Sequence, residues 1–184
     1  MSRLPPLEPA KLAPDQRRVY DAIASGPRGG VRGPFLALIH VPELTDRIQH
    51  LGEYLRFGTS FPPRLSELAV LITARHYTCQ YEWQAHEPHA LKGGLAQSII
   101  DAIKARRRPD GMQPDELTVY EFATELLANG KISDAAYERV VKAFGTRGAV
   151  ELAALIGYYI MIGMTLLAHE VALPAGMAPP LAVK

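Results

Sequence analysis

One cysteine, Cys79, serves the whole 184-residue chain, and one tryptophan, Trp83. A single thiol excludes an internal disulfide framework and a cysteine-rich zinc site. It also excludes a dithiol–disulfide cycle within one chain. The net charge is +1, so no global field draws the protein to nucleic acid or to an anionic membrane. The run Arg106-Arg107-Arg108 sits just before a Pro-Asp-Gly turn, where cations suit a helix C-terminus. The N-terminal residues lack the apolar core of a secretory signal, and a soluble cytoplasmic protein is expected. The Walker, Gly-x-Ser-x-Gly and Ser-x-x-Lys patterns are absent, which removes support for a phosphate-binding loop or a serine hydrolase. No segment alternates apolar and polar residues between turn signals, so no strand is expected.

Hydrophobic residues make up 48% of the chain, enough for one domain with a sizeable core. Residues 1–14 carry four prolines and read as an extended arm, with one helical domain over 15–184. Helices are expected over about 15–24 (Asp15 as N-cap; Val19, Tyr20 and Ile23 inward), 35–40, 42–57, 62–76, 79–92, 96–106, 115–127, 133–144 and 147–168. For 42–57 the inward stripe is Leu44, Ile48, Leu51 and Leu55; for 62–76 it is Leu65, Leu68, Leu71 and Ile72. The glycine- and proline-rich stretch 25–34 reads as a mobile surface loop near a site entrance. Leu152 to Ala168 holds no charge over 17 residues. That is short of the ~20 a bilayer span needs, so it is expected to be the central helix of a bundle. The fold class is all-α, a bundle of about eight helices.

The chemistry concentrates in YTCQYEWQAHEPHALKGG, residues 77–94. On a helix, Cys79, Glu82, His86, His89 and Gly93 are spaced 3, 4, 3 and 4 and form one stripe. A stripe at that spacing ordinarily carries apolar residues. A cysteine in the first turn of a helix meets free N–H groups and the positive end of the dipole, which favour thiolate. Glu82 opposes this, because a close carboxylate penalises a second anion. A glutamate one turn before a histidine can orient the imidazole for proton transfer. Glu67 joins the same pocket if its helix packs antiparallel to this one. Each feature has a plain structural reading: a buried small thiol, an N3 capping carboxylate at Glu82, a surface Glu–His pair. Glu82, His86 and either His89 or His76 could chelate a metal, but HEPH with its internal proline is not a zinc motif, and no metal or other cofactor is expected.

The runs GPFLALIHVPEL (33–44) and PPRLSELAVLITARHYTCQYEWQAHEPHALKGGL (62–95) resemble the carboxymuconolactone decarboxylase family, whose relatives include alkylhydroperoxidase D. The resemblance spans roughly half the chain. It implies an all-helical, alkylhydroperoxidase D-like fold and a homo-oligomer, trimer or hexamer. The redox branch carries a Cys-x-x-Cys at a helix start, then a histidine, with a glutamate on the preceding helix. Cys79, His86 and Glu67 match that pattern, and Glu82 stands where the second cysteine would be. The decarboxylases keep a Glu and a His spaced like Glu82 and His86.

Three functions follow. The first is a cofactor-free enzyme acting by proton transfer or decarboxylation on a small organic acid or lactone, through Glu82 and His86 with Glu67 as relay. The second is a one-cysteine thiol peroxidase in which Cys79 forms a sulfenic acid that an external thiol resolves. The third is a ligand-binding oligomer without catalysis. For the first, a cation should anchor the substrate carboxylate, with Arg64 and Arg75 as candidates. Tyr81 and Trp83 are candidate contacts to a small-molecule substrate.

Overall fold

Proline and glycine punctuate this chain, and helices fill the intervals. The computed structural model describes residues 2–183, and among them there is no strand. Eight helices follow in order: α1 (Pro14–Ser25), α2 (Phe35–Leu38), α3 (Pro42–Glu53), α4 (Pro63–His76), α5 (Gln80–Lys92), α6 (Gln97–Lys104), α7 (Pro114–Asn129) and α8 (Asp134–Ala168). Proline opens α1, α3, α4 and α7 in the first turn, where its missing N–H would have no partner anyway. Ser133 caps α8 through Ala136 N. Gly130 closes α7 at φ 67°. Gly145, at φ 72°, breaks α8 into the two expected stretches.

The central helix is α4, not the long apolar stretch of α8. Every residue from Leu68 to Arg75 is buried, and α5, α6, α7 and α8 pack around it. Two faces of α8 explain the difference. Leu152, Leu155, Ile156, Tyr159, Ile162 and Leu166 point inward, while Val150, Ala153, Ala154, Gly157, Met164 and Leu167 face out. Helix α8 thus leaves one apolar face uncovered, with Val150, Met164 and Leu167 among small residues. It is also the one helix among the described residues long and apolar enough to cross a bilayer, and half of that stretch is buried in the protein.

Two further expectations need correction. The N-cap of α1 is Ala13, not Asp15; the Gln16 side chain reaches back to Ala13 N (3.1 Å) and Asp15 lies in the first turn. The inward stripe of α3 is Thr45, Ile48, Gly52 and, beyond its end, Leu55, whereas Leu44 and Leu51 are exposed. Thr45 Oγ1 satisfies Val41 O (2.9 Å). Gly52 sits where a Cβ would collide with Tyr158 Oη and Arg28 Nη2. Small residues, not the largest ones, therefore mark this buried face. A π-helical turn, Tyr54–Gly58, ends α3.

The N-terminal segment packs on the end of α8. Arg3 donates to Ala168 O (3.1 Å) and pairs with Glu170, after which a 3-10 turn forms at Pro9–Lys11. Gln80 clasps Leu181 through both its amide oxygen and nitrogen. The C-terminal segment is so held across the start of α5.

Candidate active site

The α4–α5 hairpin builds the site. α4 ends in a Schellman motif: Cys79 N bonds Ala74 O (2.8 Å) and Thr78 N bonds Arg75 O (3.1 Å). Thr78 takes the left-handed position at φ 55°, unusual for a β-branched residue. Its hydroxyl accepts from Arg75 Nη1 (3.2 Å) and Arg106 Nη2 (2.8 Å). That reversal makes Cys79 the N-cap of α5 and lays α5 antiparallel on α4. At the far end Gly93 closes the hairpin tightly: a Cβ there would lie 2.9 Å from Arg64 N.

This packing brings Glu67 of α4 against His86 of α5, with Nδ1 2.6 Å from Glu67 Oε2. The expected orienter of His86 was Glu82; the structure assigns that part to Glu67. Burial pushes the Glu67 carboxyl up, but the charge and hydrogen bond of His86, aided by Arg56, bring it below its ordinary value. Tyr159 stands edge-on to the His86 ring, centroids 4.9 Å apart.

Glu82 lies one turn before His86 in a different environment. It is 3% exposed, and Oε1 has no hydrogen-bond partner, so it does not serve as a capping carboxylate. Gly163 of α8 makes room for it; a Cβ there would sit 2.9 Å from Oε2. Burial pushes the Glu82 carboxyl up to about 8, with the neighbouring Cys79 thiol a smaller opposing influence. At neutral pH Glu82 therefore keeps its proton.

Cys79 is 1% exposed. Burial, then the Glu82 charge, pushes its thiol up to about 12, against the pull of the Glu82 and Tyr81 N–H groups. Of the opposing influences expected on Cys79, desolvation and Glu82 outweigh the helix terminus and favour the thiol.

A cavity of about 540 Å³ opens beside this group, a size suited to a small molecule. Glu82, His86 and His89 line it, as do Tyr81, Tyr158, Tyr159, Phe35 and Phe57; Cys79 does not. The loop expected near a site entrance is there: Arg28, Gly30 and Arg32 form part of the wall. Tyr81 is the one expected substrate contact that reaches it. Trp83 is fully buried and donates to Glu87 (3.1 Å). Arg64 is held by Asp115 (2.6 Å) and Glu116. Arg75 is spent on Lys104 O (2.8 Å), Thr78 and Ala182 O. Neither arginine lines the cavity. Those that do are Arg28, Arg32 and Arg56, on a loop and a π turn where no periodicity signals an inward side chain. Among the described residues no three metal-ligating side chains converge, and Glu67 already occupies His86 Nδ1.

No protein-family model matches the sequence, and neither does any curated protein. Solved structures match throughout the fold. The debrominase Bmp8, in an alanine-for-cysteine variant bound to 2,3,4-tribromopyrrole, superimposes with a TM-score of 0.74 at 15% identity, covering 95% of both chains. An uncharacterized peroxidase-related protein from Silicibacter sp. TM1040 gives 0.71 at 19%, covering 95% of this chain and 92% of that one. An alkylhydroperoxidase AhpD core protein from Ralstonia eutropha JMP134 gives 0.70 at 18%, covering 95% and 93%. The chain thus has the alkylhydroperoxidase D-like helical fold.

Proposed function

We propose that this protein is a cofactor-free acid–base enzyme that decarboxylates, or transfers a proton within, a small unsaturated acid or lactone. One observation carries the reading: Glu82 stands on the cavity wall, 3% exposed and with Oε1 unpartnered, where burial pushes its carboxyl up to about 8 and favours the protonated form at neutral pH. A general acid with a pKa near the working pH combines availability with driving force. In the reaction, the bond from carbon to the departing carboxylate breaks and carbon dioxide leaves. The electron pair moves into the conjugated lactone as a dienolate. Glu82 then delivers its proton to carbon, and water restores it through His86, whose orientation Glu67 fixes. The debrominase of the same fold was solved with a small flat ring bound, a ligand of a size this cavity also accepts.

Thiol peroxidation fits less well. A thiol pushed up to about 12 and kept off the cavity wall has neither the thiolate nor the access that attack on a peroxide needs.

The test follows the ultraviolet absorbance of carboxymuconolactone with the purified protein. Loss of absorbance should disappear in Glu82→Gln and His86→Gln and persist in Cys79→Ser. Hydroperoxide consumption with dithiothreitol that vanishes in Cys79→Ser would reverse the assignment in favour of the peroxidase.

A further inference from the structure

The cavity carries positive charge that the chain leaves unspent. Arg28 and Arg56 both line it. Arg56 Nε is buried with no hydrogen-bond partner, and the equally buried Arg28 Nη2 has only the Tyr158 hydroxyl, itself on the cavity wall, beside it. Other interior arginines, Arg64 and Arg75, are committed to carboxylates or carbonyls. Arg28 and Arg56 rest instead on aromatic faces, 4.9 Å from the Phe35 centroid and 5.2 Å from that of Phe57. Stacking fixes the guanidinium planes and leaves N–H edges free for an acceptor. Buried guanidinium donors are costly to leave unmet, so an acceptor brought by a ligand is rewarded.

The two charges converge. Both bear on Tyr158, which lies beside Arg28 over the gap that Gly52 provides. Arg56 also bears on Glu67 and Tyr159, so the cationic patch borders the acid–base group. Arg32 adds a third cation to the wall, with its Nη2 tied to Gly29 O (3.1 Å). The single carboxylic acid on the wall, Glu82, carries little charge at neutral pH. The cavity is therefore net positive although the chain is close to neutral.

We propose that Arg28 and Arg56 form an anion-binding subsite, and that its ligand is a small unsaturated or aromatic carboxylate whose flat body lies against Tyr81 and Tyr159. This deepens the acid–base reading and rests on it for the chemistry, though not for the binding. A carboxylate gripped by two guanidiniums is stabilised in the ground state and does not depart. The group held there is thus the one the substrate keeps, and it fixes the reacting carbon toward Glu82.

Isothermal titration of the full chain with cinnamate and with its neutral isostere cinnamamide tests the subsite without any turnover. Saturable binding of cinnamate, at least about tenfold tighter than cinnamamide, is expected, as fits the loss of a charge-assisted contact. Arg28→Gln and Arg56→Gln should each weaken cinnamate by about tenfold or more, and Arg56→Lys should recover part of the loss. Equal affinity for acid and amide, no cinnamate binding, or indifference to both glutamine substitutions would overturn the proposal. The acid–amide comparison needs no variant and stands even where a substitution unfolds the chain. Glu82→Gln, which removes the proton donor and keeps the cavity's shape, separates the two readings: cinnamate should still bind while decarboxylation is lost.

Discussion

Cys79 and Glu82 meet at one buried corner, where burial keeps both protonated and the Glu82 carboxyl further disfavours the Cys79 thiolate. The carboxyl holds its proton to about 8 and the thiol to about 12. Burial is the larger cause for both, and a charge on either one raises the cost of a charge on the other. This corner turns a helix start that ought to make a thiolate into one that stores a neutral acid.

Cys79 should accordingly resist thiol reagents. At mildly alkaline pH the folded protein should react with iodoacetamide or Ellman's reagent at least about a hundredfold more slowly than the urea-unfolded chain, since the thiolate is the reacting form. Rapid labelling of the folded protein at neutral pH would contradict the burial assigned to it.

The Glu82 shift makes a stability prediction with a definite sign. Its folded pKa, about 8, lies above the ordinary 4.5, so between these values the folded chain binds the proton and the unfolded chain does not. Stability therefore falls as pH rises from about 4.5 to about 8. Each unit corresponds to about 1.4 kcal/mol. Glu82→Gln should remove this slope and raise the denaturation midpoint at pH 8, while abolishing activity. Urea titrations of both proteins across that range give the result directly.

Glu151 works in the opposite direction. Burial opposes its charge, but Ser60 Oγ (2.6 Å), Tyr54 Oη (2.6 Å), Ser60 N (2.8 Å) and Arg147 Nε (2.8 Å) bring it down to about 2. Its contribution is present above the ordinary 4.5 and is lost as pH falls toward 2. Glu151→Gln should cost about 1.5–3 kcal/mol at neutral pH, the scale of a hydrogen-bonded charge, and should flatten the acid limb of the denaturation curve.

Gly163 is a spacer for the acid. Gly163→Ala places a methyl 2.9 Å from Glu82 Oε2, against a side chain with little freedom. The expected loss is about 1–3 kcal/mol from overpacking, accompanied by reduced turnover. Gly157→Ala, on the same helix with open space around it, should lose nothing and serves as the control.

Much of this arrangement was legible before the structure. The 79–82–86 spacing put Cys79, Glu82 and His86 on one helical stripe, and Glu67 was expected to join them if the two helices packed antiparallel, as they do. The partner of His86 was not legible, because spacing within a helix favours Glu82, while the 2.6 Å contact comes from the helix across. Nor was the state of Cys79, since a helix start argues for thiolate and only packing reveals the desolvation that wins. Arg64 and Arg75 stood close to the motif in sequence but hold structural carboxylates and carbonyls. Arg28 and Arg56 lie on irregular backbone, where no period tells which way a side chain points. In α3 the buried face is marked by Thr45 and Gly52 rather than by Leu44 and Leu51, because Tyr158 and Arg28 approach too closely for a Cβ at 52 and the Thr45 hydroxyl satisfies Val41 O.

The protonation of Glu82 tests the central claim most directly. Infrared difference spectra between the protein and its Glu82→Gln variant, recorded across pH with carboxyl-labelled glutamate, isolate this one group. A protonated carboxyl band should be present at neutral pH and disappear with a midpoint near about 8. A carboxylate already ionised at neutral pH, titrating near the ordinary 4.5, would contradict the account.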